Sequence, residues 1–490
     1  MLQMSKIIQS RDDWKSKAVQ RANEIRELRK TQKRYQKKIA ELKRQLNTIE
    51  QAVEDKKKVI TPAAIAPVID INEAQQTRAL CIMLVLQAVV SYRSVPRILD
   101  LFNTKTPLSL EWIPHFTSVI NWSLRLGLGM LNQVKPINKP WIAIIDHSID
   151  IGTKKALVVL RVTMDSLSRR RQAIQLQDCE CIGVKVCEIV NGTSISLELE
   201  QILSSAGTPD AIIKDCDYSL QKGVRLWSEK QNNAVPVIED IGHVMASALK
   251  SQFDKMPAYK SFTSLISKGA KCLRQTDLAF LTPPKLRTKG RFQSISKLGK
   301  WGDKILNVLA VKGRAKEGSL LARVRVALPG FTRLKPFIRR FANTTKIVSQ
   351  AMEILKNKGL DQSSYDQITV LSEKFPINSK VKKRLLVWLN QHIKVQKKIT
   401  SLPLLVSSDI IESLFGNFKH IIARGPQADM NRTVLLIPDR SGKRDEITIS
   451  QALSQVRHND LKIWEQENIP YTMRKKRQAF FDQSNSQKTG

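Results

Sequence analysis

Trp141-Ile-Ala-Ile-Ile-Asp146 is a short apolar run closed by an acid. A run of this length bounded by turn residues reads as a strand buried on both faces. A second such run is Ala211-Ile-Ile-Lys-Asp215, which also ends on an acid. A third acid, Glu412, sits in Ser408-Asp-Ile-Ile-Glu412-Ser-Leu-Phe-Gly416, which has helical character. Two strand-end aspartates and a later helical glutamate are the groups that clasp two divalent cations against a phosphodiester.

Working outward, Ala156–Thr163 and Gly183–Ile189 are β-branched-rich runs separated by turn chemistry, Ser194–Ser205 is a helix, and Val235–Ile238 is a further strand. The order is β-β-β-α-β-α-β, that of a ribonuclease-H-like α/β domain with a mixed sheet. Residues 137–250 form the first part of this core and 401–425 return to it with the glutamate helix. The long gap from Asp215 to Glu412 requires an insertion. Residues 251–400 fit, being helical in pattern and carrying 32 Lys plus Arg against 8 Asp plus Glu.

Before the core, residues 1–58 read as a basic coiled-coil helix. Its a positions are Ile25, Gln32, Ile39, Leu46 and Val53, and its d positions Leu28, Tyr35, Leu42 and Ile49. A single basic helix is the other reading. Residues 59–72 form a linker. Residues 73–136 hold three short helices, Arg78–Tyr92, Ser94–Phe102 and Pro114–Gly127, which suit a helix-turn-helix-like module. A plain helical bundle fits the same pattern. The C-terminal basic segment, 426–490, contains a strand-like Thr433–Ile437, a helix Ser450–Arg457 and the basic cluster Arg474-Lys-Lys-Arg477.

The chain of 490 residues has 81 Lys plus Arg against 44 Asp plus Glu, a formal charge of +37. Such an excess favours a polyanionic partner, because each neutralised phosphate releases condensed counterions. The stretch Lys285–Arg340 has sixteen basic residues opposed only by Asp303 and Glu317. Candidate DNA contacts are Arg93, Arg97 and Arg125 in the helical module, Lys285, Arg287, Lys289, Arg291 and Arg314 in the insertion, and Lys419 on the glutamate helix. Sequence-specific contact is expected from the 114–127 helix. The six cysteines lack paired C-x-x-C spacing, which disfavours structural zinc and suits a reducing compartment. The N-terminus is polar and the run Ala79–Val90 is too short for a bilayer, so the expected location is cytoplasmic, at the nucleoid.

Each acid has a competitor. Asp217 lies two residues beyond Asp215, on the same side of an extended chain. Asp409 lies one turn before Glu412 and suits a helix N-cap. Asp146 itself suits a turn cap. Oxygen ligands without a His/Cys set favour Mg²⁺ or Mn²⁺.

Asp146, Asp215 and Glu412 resemble the DDE triad of cut-and-paste DNA transposases. Asp240-Ile-Gly-His243, after the fifth strand, is similar to the Asp/Cys-x-x-His motif found there in several DDE superfamilies. Ile411-Glu-Ser-Leu-Phe-Gly-Asn-Phe-Lys419 resembles the glutamate helix of bacterial insertion-sequence transposases, and Ser91-Tyr-Arg93-Ser-Val-Pro-Arg97-Ile-Leu looks like part of their DNA-binding region. The helical insertion is more like the hAT type. The likeness spans residues 75–425. It implies metal-dependent cleavage at element ends, strand transfer into target DNA, and a homo-oligomer on DNA. It places Asp240 and His243 near the active site, though a purely structural contact fits them too. His147 is a neighbour of the metals rather than a ligand. Trp301 suits a core position, or stacking on an extruded base. The alternatives are a ribonuclease-H-fold nuclease acting on structured DNA without transposition, and a non-catalytic DNA-binding protein.

Overall fold

Strand alternation splits the run at residue 141 between two cores. Trp141, Ala143 and Ile145 face one layer, and Ile142 and Ile144 the other. In the computed structural model the described residues are 72–486, apart from 107–109, 134–138, 148–153, 170–172, 189, 232–233, 286–291, 293–294, 312, 422–429, 443 and 470–471. The coiled coil expected over 1–58 lies outside them, as does the linker at 59–72 except for Asn72.

Strands β1 (Trp141–Asp146), β2 (Lys155–Thr163), β3 (Glu180–Cys187), β4 (Ala211–Lys214) and β5 (Val237–Glu239) form one sheet in the order β3-β2-β1-β4-β5. The pairs β1–β2 and β2–β3 are antiparallel, whereas β1–β4 and β4–β5 are parallel. This mixed sheet among many helices is broadly consistent with a ribonuclease-H-like fold carrying helical insertions.

Helices precede the sheet: α1 (Glu73–Leu86), α2 (Ser94–Lys105) and α3 (Phe116–Asn132). The short α4 (Met164–Arg169) follows β2. α5 (Gly192–Ala206) and α6 (Tyr218–Ser228) cover one face of the sheet, burying Ile195, Leu199, Leu220, Val224 and Trp227 against Ala143, Ile145 and Val159. Asn191 caps α5 by accepting from the Ser194 N–H at 2.9 Å. The other face meets α3 and α7 (Ile241–Phe253).

The described part of the insertion is mostly helical: α8 (Pro257–Leu273), α9 (Ser296–Leu309), α10 (Leu320–Ala327), α11 (Lys335–Lys358), α12 (Gln362–Ser372) and α13 (Lys380–Ile399). Aromatic rings knit it together. The ring centres of Phe337 and Phe341 lie 5.6 Å apart, and each is within 5.1–6.4 Å of those of Phe253, Tyr259 and Phe262. Helix α13 shields the β5 edge: the Trp388 indole donates to the Glu239 carbonyl at 3.0 Å, and the Glu239 N–H donates to His392 Nε2 at 3.2 Å. The chain returns beside its point of departure, where Leu360 and Leu404 form an antiparallel bridge and the Ile241 N–H donates to the Val406 carbonyl at 3.1 Å. Then comes α14 (Asp409–Ile421).

The C-terminal segment departs from expectation. Thr433–Ile437 is not a strand: Arg432–Leu435 is a 3-10 turn, capped by Asn431, that runs into α15 (Leu436–Asp439). The helix read at Ser450–Arg457 begins earlier, as α16 (Glu446–Gln455), capped by Asp445. α17 (His458–Asn468) and α18 (Met473–Ser486) follow.

Helix α3 joins these parts. From Trp122 to Met130 every residue but Arg125 is buried. One side packs Leu124 and Leu128 into the sheet core, while Val119, Leu126 and Met130 meet Ile82, Ile449, Ala452 and Leu453. The helix expected to read bases therefore lies within the core, where a major groove cannot reach most of it. No described helix is long and apolar enough to cross a membrane.

Candidate active site

The register brings two acids together. Ile145 pairs with Lys214 across β1 and β4, so the next residues, Asp146 and Asp215, lie level. Period-two alternation turns both toward the face occupied by α7 and α14. Asp146 is 4% exposed, and its Oδ1 accepts the His147 N–H at 2.6 Å. Burial, and then the charge of Asp215, push its carboxyl up to about 6. Burial raises Asp215 as well, while His243 opposes the shift.

His243 lies in the first turn of α7 and touches three acids. Its Nδ1 is 3.0 Å from Asp240 Oδ1 and 3.3 Å from Asp215 Oδ1, and its Nε2 is 3.3 Å from Glu412 Oε1. Burial disfavours the imidazolium, but the bond and charge of Asp240, followed by Asp215 and Glu412, push it up to about 9. Glu412 reaches the ring from the first turn of α14. Three acids distant in sequence thus gather around one cationic ring.

Asp240 is the buried anchor of this group, at 1% exposure. Its Oδ1 accepts the His243 N–H at 2.7 Å and faces the ring, while its Oδ2 accepts the Ser408 N–H at 2.6 Å and hydroxyl at 3.0 Å. Burial would raise this carboxyl, but these donors hold it below the ordinary range.

The competitors have other partners. Asp217 caps α6, accepting from the Ser219 and Leu220 N–H groups at 2.9 and 3.2 Å, and meets His147 Nε2 at 3.0 Å. Asp409 pairs with Lys356 of α11. The Trp301 indole donates to the Leu281 carbonyl at 3.0 Å and its ring lies edge-on to Phe331, a packing position.

Among the described residues, no three His, Cys, Asp or Glu side chains stand ready to grip a metal ion. The donor chemistry nonetheless fits a hard cation. Asp146, buried, and Asp215, half-buried, are adjacent carboxylates of like charge, and Glu412 supplies a third set of oxygens across His243. These three would hold the metal. Beside them opens a cleft of about 770 Å³, lined by Asp240, His243, Lys356, Asp409 and Glu412 among others.

The basic candidates are spread out. Arg93 and Arg97 are exposed near or on α2, with the Arg93 guanidinium 5.4 Å from the centre of the Phe116 ring. Arg125 is turned into the fold, donating through Nε to the Val456 carbonyl at 2.7 Å and through Nη2 to that of Leu453 at 2.5 Å. Lys285 and Arg314 are exposed, and Lys419 is half-buried. Arg287, Lys289 and Arg291 lie outside the described residues. Ser408, whose two donors seat Asp240, was not singled out by any sequence pattern. Its signal was only its place before the helix.

No protein-family model matches the sequence, and no curated protein matches it. Among solved structures the chain is similar to the Drosophila P element transposase strand transfer complex, at 12% identity and a TM-score of 0.38. That alignment covers 82% of this chain and 98% of the other.

Proposed function

We propose that this chain is a DDE-type DNA transposase, cleaving strands at the ends of an element and joining the freed 3′ hydroxyl to target DNA. The observation that carries the reading is the His243 ring, which meets Asp215 on one side and Glu412 on the other, at 3.3 Å each. Residues 197 positions apart thereby share one site with Asp146. A scaffold without catalytic duty has no use for a buried carboxylate set beside a half-buried one of like charge.

Asp146, Asp215 and Glu412 are the proposed ligands for Mg²⁺ or Mn²⁺. Bound there, a pair of such ions supplies an activated attacking oxygen and offsets charge on the leaving oxygen. His243 orients Asp215 and Glu412 and balances their charge. Asp240 fixes the tilt of His243 and favours its charged form. The exposed basic residues of α2 and the insertion hold phosphates and set register without reading sequence. Pairing of two element ends implies two or more copies of the chain on DNA.

The test is strand cleavage and joining with Mn²⁺ on DNA carrying the flanks of the coding region. Asp146→Asn, Asp215→Asn and Glu412→Gln are each expected to reduce both steps by roughly a thousandfold or more while DNA binding persists. Unimpaired cleavage in any of the three overturns the assignment. Cleavage without joining favours the nuclease reading instead.

A further inference from the structure

The cleft beside the acid cluster is short of positive charge. Four of the side chains lining it are carboxylates, those of Asp240, Glu353, Asp409 and Glu412. Against them stand His243, whose ring is already shared by three acids, and Lys356. Among the described residues of the lining, Lys356 is the one lysine or arginine. A phosphodiester entering so acidic a cleft needs a cation of the protein as well as the metals.

Lys356 already holds an anion. It lies in the last turn of α11, within the insertion, and its Nζ donates to Oδ2 of Asp409, the first residue of α14. The pair ties the insertion to the helix that carries Glu412. The tie is open to water, the two side chains being 35% and 48% exposed, and such ion pairs add little to stability. Oδ2 of Asp409 offers Lys356 what a phosphate oxygen offers, a negative acceptor for a charge-assisted N–H bond. Its place fits as well. Asp409 precedes Glu412 by three residues, one turn of about 5 Å. A Cβ built on Gly242 would lie 3.9 Å from Asp409 Oδ1 and 3.0 Å from Asp240 Oδ1, so the pair sits at the edge of the acid cluster.

We propose that Lys356 binds a DNA phosphate adjacent to the one under attack, and that Asp409 occupies the phosphate's place until DNA arrives. The incoming phosphate displaces the carboxylate, and Lys356 passes from one anion to the other. A free anion competes poorly with a carboxylate fixed on the same chain. A strand already held by the basic surface arrives at high effective concentration and displaces it. Lys356 then holds that strand over Asp146, Asp215 and Glu412. This inference rests on the proposed function for its choice of DNA and of the phosphate beside the cut.

The test is a double-mutant cycle on binding of the full chain, in EDTA, to a labelled duplex carrying the flanks of the coding region. Asp409→Asn is expected to tighten binding about tenfold, because it frees Lys356 for phosphate. In the Lys356→Ala background the same change is expected to alter affinity by less than about twofold, since the two residues act as one unit. Lys356→Ala alone is expected to weaken binding and to make the slope of log affinity against log salt shallower by roughly 0.9, while Lys356→Arg keeps the slope. Equal tightening by Asp409→Asn with and without Lys356 overturns the proposal, because it reports general repulsion alone. So does unchanged affinity in Asp409→Asn. Should the Asp409 variants fail to fold, the salt slopes decide, and a slope that Lys356→Ala leaves unchanged overturns the proposal. EDTA withholds the metals, so the outcome is separable from catalysis. A chain that cuts DNA without this coupling sinks the present inference alone, and a chain that shows the coupling but never cuts sinks only the catalytic reading.

Discussion

Ser408 donates both its backbone N–H and its hydroxyl to one oxygen of Asp240, at 2.6 and 3.0 Å. The pair joins the end of β5 to the residue just before α14, across the whole insertion. Asp240→Ala strands these donors and the His243 N–H in a buried site, so it is expected to destabilise the chain by about 3 kcal/mol or more. Ser408→Ala removes one hydroxyl and is expected to cost about 1 kcal/mol. Urea midpoints measure both. Equal, small effects would show that the junction is held elsewhere.

Two glycines give opposite expectations. A Cβ built on Gly127 of α3 would overlap the carbonyl oxygen of Leu435, whereas one on Gly416 of α14 meets nothing within 4 Å. Gly127→Ala is expected to cost about 1–3 kcal/mol through overpacking against backbone. Gly416→Ala is expected to gain up to about 1 kcal/mol by reducing the freedom of the unfolded chain. Thermal unfolding of the two variants should move in opposite directions.

Stability should also depend on pH through Asp439. Burial pushes its carboxyl up to about 7, against the opposing charges of Arg444 and Arg440. The nearby Tyr92 phenol is raised by burial and by Asp439, and stays neutral throughout this range. An unfolded aspartate titrates near 3.9. Between those values the folded chain keeps a proton that the unfolded chain has released. The contribution is therefore full below about pH 4 and lost as pH rises through about 7. Asp439→Asn abolishes the dependence. Relative to the natural chain, the variant should gain on the order of 4 kcal/mol between pH 4 and 8, read from urea unfolding at each pH.

Lys335, Arg339 and Lys346 are exposed and follow one stripe of α11, at i, i+4 and i+11. If this stripe meets the DNA backbone, alanine at all three weakens binding to unrelated sequences uniformly. The slope of log affinity against log salt should become shallower by roughly 0.9 for each phosphate no longer neutralised. A titration of salt with the variant and the natural chain checks it, and an unchanged slope would place the DNA on another face.

Much of the sheet was legible because its strands are short apolar runs between turns. Trp141–Asp146 ends where the run ends, and Ala211–Lys214 stops one residue short of its acid. Spacing alone did not separate Asp215 from Asp217, since both face one way on an extended chain. The chain bends after Lys214, and the start of α6 draws Asp217 into capping. The error at Thr433–Ile437 has a related cause. Val434 to Ile437 are all buried, and a run apolar on every side looks the same as strand or helix. The burial of α3 was hidden for another reason: its covering layer, α16, comes from more than three hundred residues away, and local periodicity carries no trace of it.

The late return of α14 has a temporal consequence. A chain is made from its N-terminus at roughly 5–20 residues per second, so Glu412 leaves the ribosome roughly 10–40 seconds after Asp215. Until then the nascent protein holds two of its three acids and an unsewn β5 edge. Under the proposed function, an enzyme that cuts chromosomes is thereby born disarmed, and becomes dangerous only once its last catalytic helix has docked.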